Sequence, residues 1–252
     1  MTPRVPRALL AMGVVGLALA VGAEAAQAPD GAAVLRRVDE NMGADNKITT
    51  SEMIIRGRRG SRTVTSKSWI QGRDKSFTEY LDPPREKGTK MLKLEDQLWT
   101  YAPASDRTIL SAGHMLRQSV MGSDLSYEDM MEDQRLVALY DAVIVGEERI
   151  GDRPSWVLAL TSKGGDIAYF TRKIWVDKER YVVLREERFA KSGKLLKSTE
   201  VLDVQRMKER WVPTRVIFRD ALKGGEGTEF VVKAMEFNAA IPDHLFTKAS
   251  LR

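Results

Sequence analysis

Residues 168–205 constrain this chain most. Three apolar runs follow one another, at 168–176, 181–190 and 194–205. Only short polar reversals separate them, Asp177-Lys178-Glu179-Arg180 and Lys191-Ser192-Gly193-Lys194. The first suits a four-residue turn, and Gly193 can take a positive φ without steric cost. Tyr169, Phe170, Ile174, Trp175, Val176, Tyr181, Val182 and Val183 are β-branched or aromatic, so each run predicts a strand. Strands joined this tightly form an antiparallel meander, because a parallel pair needs a long crossover. In the middle run an apolar start, Tyr181-Val182-Val183-Leu184, gives way to Arg185-Glu186-Glu187-Arg188. The expectation is a sheet covered on both faces near Val182 and Val183 and bare near Glu187, a partial coverage that a ligand cavity also requires.

The front of the chain has a different character. Arg4 and Arg7 precede an apolar run at 8–21 that is short and Ala/Gly-rich for a membrane span. Ala23-Glu24-Ala25 fits the small-x-small cleavage rule, so residues 1–25 are expected to be a signal peptide cut after Ala25. Residues 26–252 are then one domain, long enough for a substantial core. The chain has no Cys. That removes disulfides, thiol catalysis, thiolate metal sites and a lipidated N-terminal Cys. The expectation is a soluble periplasmic protein that is not a lipoprotein. The net charge of +5 is modest and mixed along the chain, and it does not argue for nucleic acid.

Along the rest of the chain, residues 31–42 predict an amphipathic helix. Asp30 is its expected cap, Val34, Leu35 and Val38 form its apolar stripe, and Gly43 ends it. Strands are expected at 48–56, 63–71, 75–81, 90–94, 97–101 and 107–110. They resume at 136–147 and 155–161, continue through the meander, and finish at 211–219 and 226–237. The count is eleven to thirteen, at the spacing of an all-β sandwich or barrel. Residues 111–132 interrupt the pattern. They lack alternation, are rich in Met, and predict two short helices, with Ser126 and Asp129 placed as a capping box. One short helical turn is expected after Pro242.

Catalytic and metal motifs fail on inspection. Only His114 and His244 occur, in very different surroundings, and the lack of paired His, of HExxH and of Cys rules out most metal-ligand clusters. A calcium loop starting at Asp124 would need Gly where Asp129 stands and Glu where Arg135 stands. Ser192-Gly193-Lys194 lacks the upstream Gly and downstream Ser/Thr of a phosphate loop, and no Gly-x-Ser-x-Gly elbow exists. The chain is not expected to be an enzyme, and no cofactor or metal is expected. Five Trp residues, Trp69, Trp99, Trp156, Trp175 and Trp211, fall inside expected strands, where they are either ordinary core or part of a pocket wall.

The stretch from Arg117 to Asp129, with Met121-Gly122-Ser123-Asp124-Leu125-Ser126-Tyr127-Glu128-Asp129 at its centre, resembles the signature of the outer membrane lipoprotein-sorting protein family. That family is similar to the LolA/LolB periplasmic carriers. Weaker agreement comes from Trp175-Val176-Asp177-Lys178, Gly193-Lys194-Leu195-Leu196-Lys197, Trp211-Val212-Pro213-Thr214 and Ile241-Pro242-Asp243-His244-Leu245-Phe246-Thr247. The resemblance implies a mainly β (α+β) fold: a strongly curved antiparallel sheet forming an incomplete barrel, closed by short helices over an apolar cavity. It also implies a monomeric carrier of lipid or lipoprotein acyl chains, working between an inner-membrane transporter and an outer-membrane acceptor. Two alternatives stay open: an accessory periplasmic subunit of an RND/MMPL-type exporter, and a lipid-sensing regulatory module.

The related carriers place cavity-closing helices where this chain has its Met-rich insert. Met115, Leu116, Val120, Met121, Leu125 and Met130 are therefore expected on a lid, facing a cavity. Trp69, Trp99, Trp175 and Trp211 are expected on the opposite wall. The plain alternative is that the insert caps an ordinary core.

Overall fold

A computed structural model describes residues 1, 29–57, 60–132, 135–165 and 167–252. The expected signal peptide and its cleavage site lie outside the described residues, as does the tip of the first hairpin at 58–59.

Strands β1 (Asn46–Gly57), β2 (Gly60–Gln71), β3 (Lys75–Asp82), β4 (Lys90–Leu94), β5 (Gln97–Ala102) and β6 (Arg107–Ser111) form one meander. A second contains β7 (Tyr140–Ile150), β8 (Arg153–Ser162), β9 (Thr171–Asp177), β10 (Val183–Phe189), β11 (Leu195–Met207), β12 (Arg210–Asp220) and β13 (Thr228–Phe237). β1 pairs with β13, so the described residues make one antiparallel sheet of 13 strands, ordered β6-β5-β4-β3-β2-β1-β13-β12-β11-β10-β9-β8-β7. The sheet does not close: β6 and β7 are its two edges. It is the expected mainly β fold with an incomplete barrel.

This order dictates where the insert runs. The chain leaves one edge at β6 and must reach the opposite edge at β7, so it has to cross a face of the sheet. It does so through 3-10 turns at Gly113–Arg117 and Val120–Gly122, helix α2 (Tyr127–Met131) and the single turn α3 (Leu136–Leu139). Helix α1 (Gly31–Met42) covers the same face over the second meander. Its Val34, Leu35 and Val38 bury against Tyr140, Trp156, Leu158, Leu160, Ile174 and Val176. Gly31 is needed at its start, because a Cβ there would meet the Ala142 carbonyl oxygen at 2.5 Å. The other face of the first meander is covered by the C-terminal 3-10 turns Asp243–Phe246 and Lys248–Leu251. Phe246 and Leu251 pack there with Phe77, Leu92 and Trp99.

Five local expectations need correction. Residues 136–139 form α3 rather than the start of a strand, and 168–170 precede β9 instead of belonging to it. The Asp30 side chain makes no capping bond; its backbone carbonyl accepts the Val34 N–H at 3.0 Å, so α1 is held by packing. The insert contains three short helical pieces before Glu132 rather than two. The charged end of β10 is not bare: Glu186 is buried and Arg188 largely so, beneath the insert. Opposite charges from neighbouring elements neutralise them there, which strand periodicity alone cannot reveal. The Ser126–Asp129 capping box forms as expected, and Gly193 has φ +81°.

Candidate functional site

A cavity of about 1030 Å³ lies between the inner face of β1–β4, β12 and β13, the C-terminal end of α1 and the insert. Side chains alternate along a strand, so one set of positions on β1 looks inward: Lys47, Thr49, Ser51 and Met53, followed by Ile55. Pairing aligns similar residues beside them. Ser68 faces Thr49, Ser66 faces Ser51 and Val64 faces Met53 on β2; Thr78 faces Ser68 and Tyr80 faces Ser66 on β3. The hydroxyls bond across the strands, Ser51 to Ser66 at 3.3 Å and Ser68 to Thr78 at 2.9 Å. β13 adds Met235, Val232 and Phe230 opposite Thr49, Ser51 and Met53.

The insert closes the apolar end. Leu116, Val120, Met121, Leu125, Tyr127 and Met131 pack with Met53, Ile55, Val64, Tyr80, Met91, Leu98 and Phe230. Leu125 and Met130 line the cavity itself. Met115 sits half-buried on its 3-10 turn. Of the six expected lid residues, four therefore join one cluster on the inner face, and Met130 stands at the rim. The four Trp residues lie elsewhere. Trp69 and Trp99 are turned by strand alternation to the opposite face, under the C-terminal turns. Trp69 there stacks on Phe77 with ring centroids 5.8 Å apart. Trp175 points away from the face of its neighbours Ile174 and Arg172, and its Nε1 donates to Glu148 at 2.9 Å. Trp211 packs with Val182, Leu184 and Val204, capped by the Arg180 guanidinium 4.3 Å from its ring. Size and aromaticity suggested a pocket wall, but the parity of each position decides its face.

Polar anchors that the sequence did not disclose hold the insert down. Asp129 of α2 pairs with Arg188 at 3.1 Å and Lys197 at 3.1 Å, and accepts from the Tyr169 hydroxyl. Arg188 also holds Glu186 at 2.8 Å, Glu186 holds Arg172 at 2.8 Å, and Arg172 reaches Glu132. Burial pushes the Glu186 carboxyl up, but Arg188 and Arg172 outweigh it and hold the group at about 2. Burial likewise opposes ionisation of Asp129, and Arg188 with Lys197 still keeps it below the usual carboxylate range. The Tyr169 hydroxyl is pushed well up, by burial first and then by Asp129. Further along, Asp124 accepts from Thr228 Oγ1 at 2.7 Å and from the Asp220 N–H at 3.1 Å. Arg62 donates to the Met121 carbonyl. Arg188 and Asp129 lie 59 positions apart, so no local pattern could have paired them.

At the other end the lining is charged and mixed, with Lys47, Lys93 and Arg210 among Asp39, Glu40, Asp45 and Asp74. Lys47 is buried, and burial, then the nearby charge of Arg210, holds its amine below its ordinary value. Lys93 is also buried and donates to the carbonyls of Arg73 at 2.9 Å and Met131 at 3.0 Å. Among the described residues no helix is long and apolar enough to cross a membrane.

A family model described as an uncharacterized protein matches residues 72–252. No curated protein matches the chain. Among solved structures, a DUF1329 family protein from Desulfovibrio piger is 24% identical over 88% of this chain and 98% of its own, with a TM-score of 0.79. An outer membrane lipoprotein-sorting protein domain from Vibrio parahaemolyticus is 22% identical over 88% and 97%, with a TM-score of 0.76. A LolA superfamily protein from Nitrosomonas europaea is 23% identical over 88% and 100%, with a TM-score of 0.73. The match over residues 72–252 takes in most of the chain, which therefore belongs to the family of that model and shares its fold with the outer membrane lipoprotein-sorting and LolA superfamily proteins.

Proposed function

We propose that this protein is a carrier that shelters lipid or lipoprotein acyl chains in the cavity beneath the insert, moving them through the periplasm towards the outer membrane. The observation that carries this reading is the cavity of about 1030 Å³, with Met53, Tyr80, Leu125, Phe218 and Phe230 on its walls. The fold shared with lipoprotein-sorting proteins supports it. Sheltering a chain gains about 0.8 kcal/mol per buried CH₂, so a carrier needs enclosed apolar area and no catalytic group. The reading includes export, with residues 1–25 removed and 26–252 acting as one domain.

Organic extraction of protein purified from its native compartment, followed by mass spectrometry, tests the carrier. An acyl-bearing lipid in near-stoichiometric amount is expected. Lipid-free protein that also fails to take up a fluorescent acyl probe would defeat the proposal. N-terminal sequencing of the exported protein should begin at Ala26.

A further inference from the structure

Among the described residues, the exposed positions of the cavity lining all lie at one end. They are Glu40, Gly43 and Asp45 around the start of β1, residues 72–75 in the turn from β2 to β3, Asn238 after β13, and Met130 and Arg135 of the insert. Antiparallel pairing puts the start of β1, the end of β2, the start of β3 and the end of β13 side by side, so these residues form one mouth. Met53, Tyr80, Leu125, Phe218 and Phe230 make the apolar floor opposite, and none of them is exposed.

Away from the mouth the insert is tied to the sheet on every flank. Lys93 of β4 donates to the Met131 carbonyl at 3.0 Å, and Arg62 of β2 donates to the Met121 carbonyl. Asp124 bonds to Thr228 at the start of β13 and to the Asp220 N–H at the end of β12. Asp129 is paired with Arg188 of β10 and Lys197 of β11. Lifting the insert would break these bonds together and leave Asp129 and Arg188 as uncompensated buried charges. A ligand that comes through the mouth breaks none of them.

The depth suits one acyl chain. Lys47 lies just inside the mouth and Met53 at the floor, and the six steps between them along β1 span about 20 Å. An acyl chain occupies about 15 Å, half the hydrocarbon core of a bilayer. A chain that ends at Met53 therefore brings the group it is attached to up to the mouth. Acids and bases alternate around that rim, Asp45 and Asp74 with Arg73 and Arg135, so the rim favours neither sign of head charge.

We infer that the cargo loads tail-first through this mouth while the insert stays fastened, so that its head, even a bulky one, is left outside the protein. This rests on the carrier reading and adds to it the route and the tolerance for large heads.

The first test compares two uncharged ligands with the same palmitoyl chain, monopalmitoylglycerol and a poly(ethylene glycol) monopalmitate, as competitors of a fluorescent acyl probe. Burial of the chain alone sets the affinity, so the two should agree within about threefold. Exclusion of the bulky ligand while monopalmitoylglycerol binds overturns the inference and leaves the carrier standing. Failure of both ligands and of the probe to bind overturns both. The second test staples the insert shut. The Asp124 N–H lies 3.0 Å from Thr228 Oγ1, and the chain has no Cys, so Asp124→Cys with Thr228→Cys gives one bridge. The oxidised protein should take up the probe at a rate within about threefold of the unaltered protein. Uptake lost on oxidation and restored by reduction shows that the insert must open, and overturns the inference. The third test needs no bridge. Ala44 lines the mouth between α1 and β1, and Ala44→Trp should slow uptake about tenfold or more. An unchanged rate in that variant overturns the mouth as the route.

Discussion

Arg188 on β10 and Asp129 on α2 meet at 3.1 Å beneath the insert, with only 13% and 3% of their side chains exposed. Between them they tie the segment that crosses the open face to the half of the sheet it did not come from. The insert is therefore a fastened element. Opening it exposes the cavity only at the cost of separating buried charges.

Removing one partner of that pair leaves the other charge buried and uncompensated. Asp129→Ala should cost about 3–5 kcal/mol of folding stability. Replacing Asp129 and Arg188 together by apolar residues of similar volume should recover much of the loss. Urea unfolding of the single and double variants measures both. A single variant as stable as the parent would show that the pair does not fasten the insert.

Acid should loosen the same cluster. The Glu186 carboxyl is held at about 2 against an ordinary 4.5, so its folded pKa lies below its unfolded one. Its contribution is fully present above pH 4.5 and is lost as pH falls towards 2. Asp129, also held low, adds in the same direction. Denaturation midpoints should hold from neutral pH to about 5 and then fall. Glu186→Gln should be less stable at pH 7 and show a shallower acid limb.

Leu125 lines the cavity and is only partly buried, whereas Leu92 is fully buried under the C-terminal turns. Leu92→Ala should cost about 2–5 kcal/mol, and Leu125→Ala clearly less. Leu125→Glu should leave the protein folded while abolishing uptake of an acyl probe. Unfolding by Leu125→Glu, or unchanged uptake, would show that the insert caps a filled core.

The indoles give the converse test. Trp99 packs on the face away from the cavity, against Phe246 and Leu251. Trp99→Ala should destabilise by about 3–5 kcal/mol. Acyl uptake per folded molecule, measured below the melting transition, should be unchanged. Reduced uptake by fully folded protein would place the ligand on the wrong face.

By itself the sequence determined most of the strands, the antiparallel meander of residues 168–205, α1 and the capping box at Ser126. These depend on turn chemistry and on periods of two or 3.6 residues, which are local properties. The Met-rich break in alternation located the insert, and its apolar residues Leu116, Val120, Met121 and Leu125 do come together on one face. Tertiary structure alone decided the rest. The pairing of β1 with β13 brings residues as many as 190 positions apart side by side, as Lys47 meets Phe237. That pairing sets the edges, and the edges force the insert across the inner face. It also decided which face each Trp occupies, because strand parity is set by register with distant neighbours. The burial of Glu186 and Arg188 was invisible for the same reason. A charged side chain reads as solvated until its counter-charge arrives, and here Asp129 of α2 reaches Arg188 across the open face of the sheet while Arg172 of β9 and Arg188 itself hold Glu186.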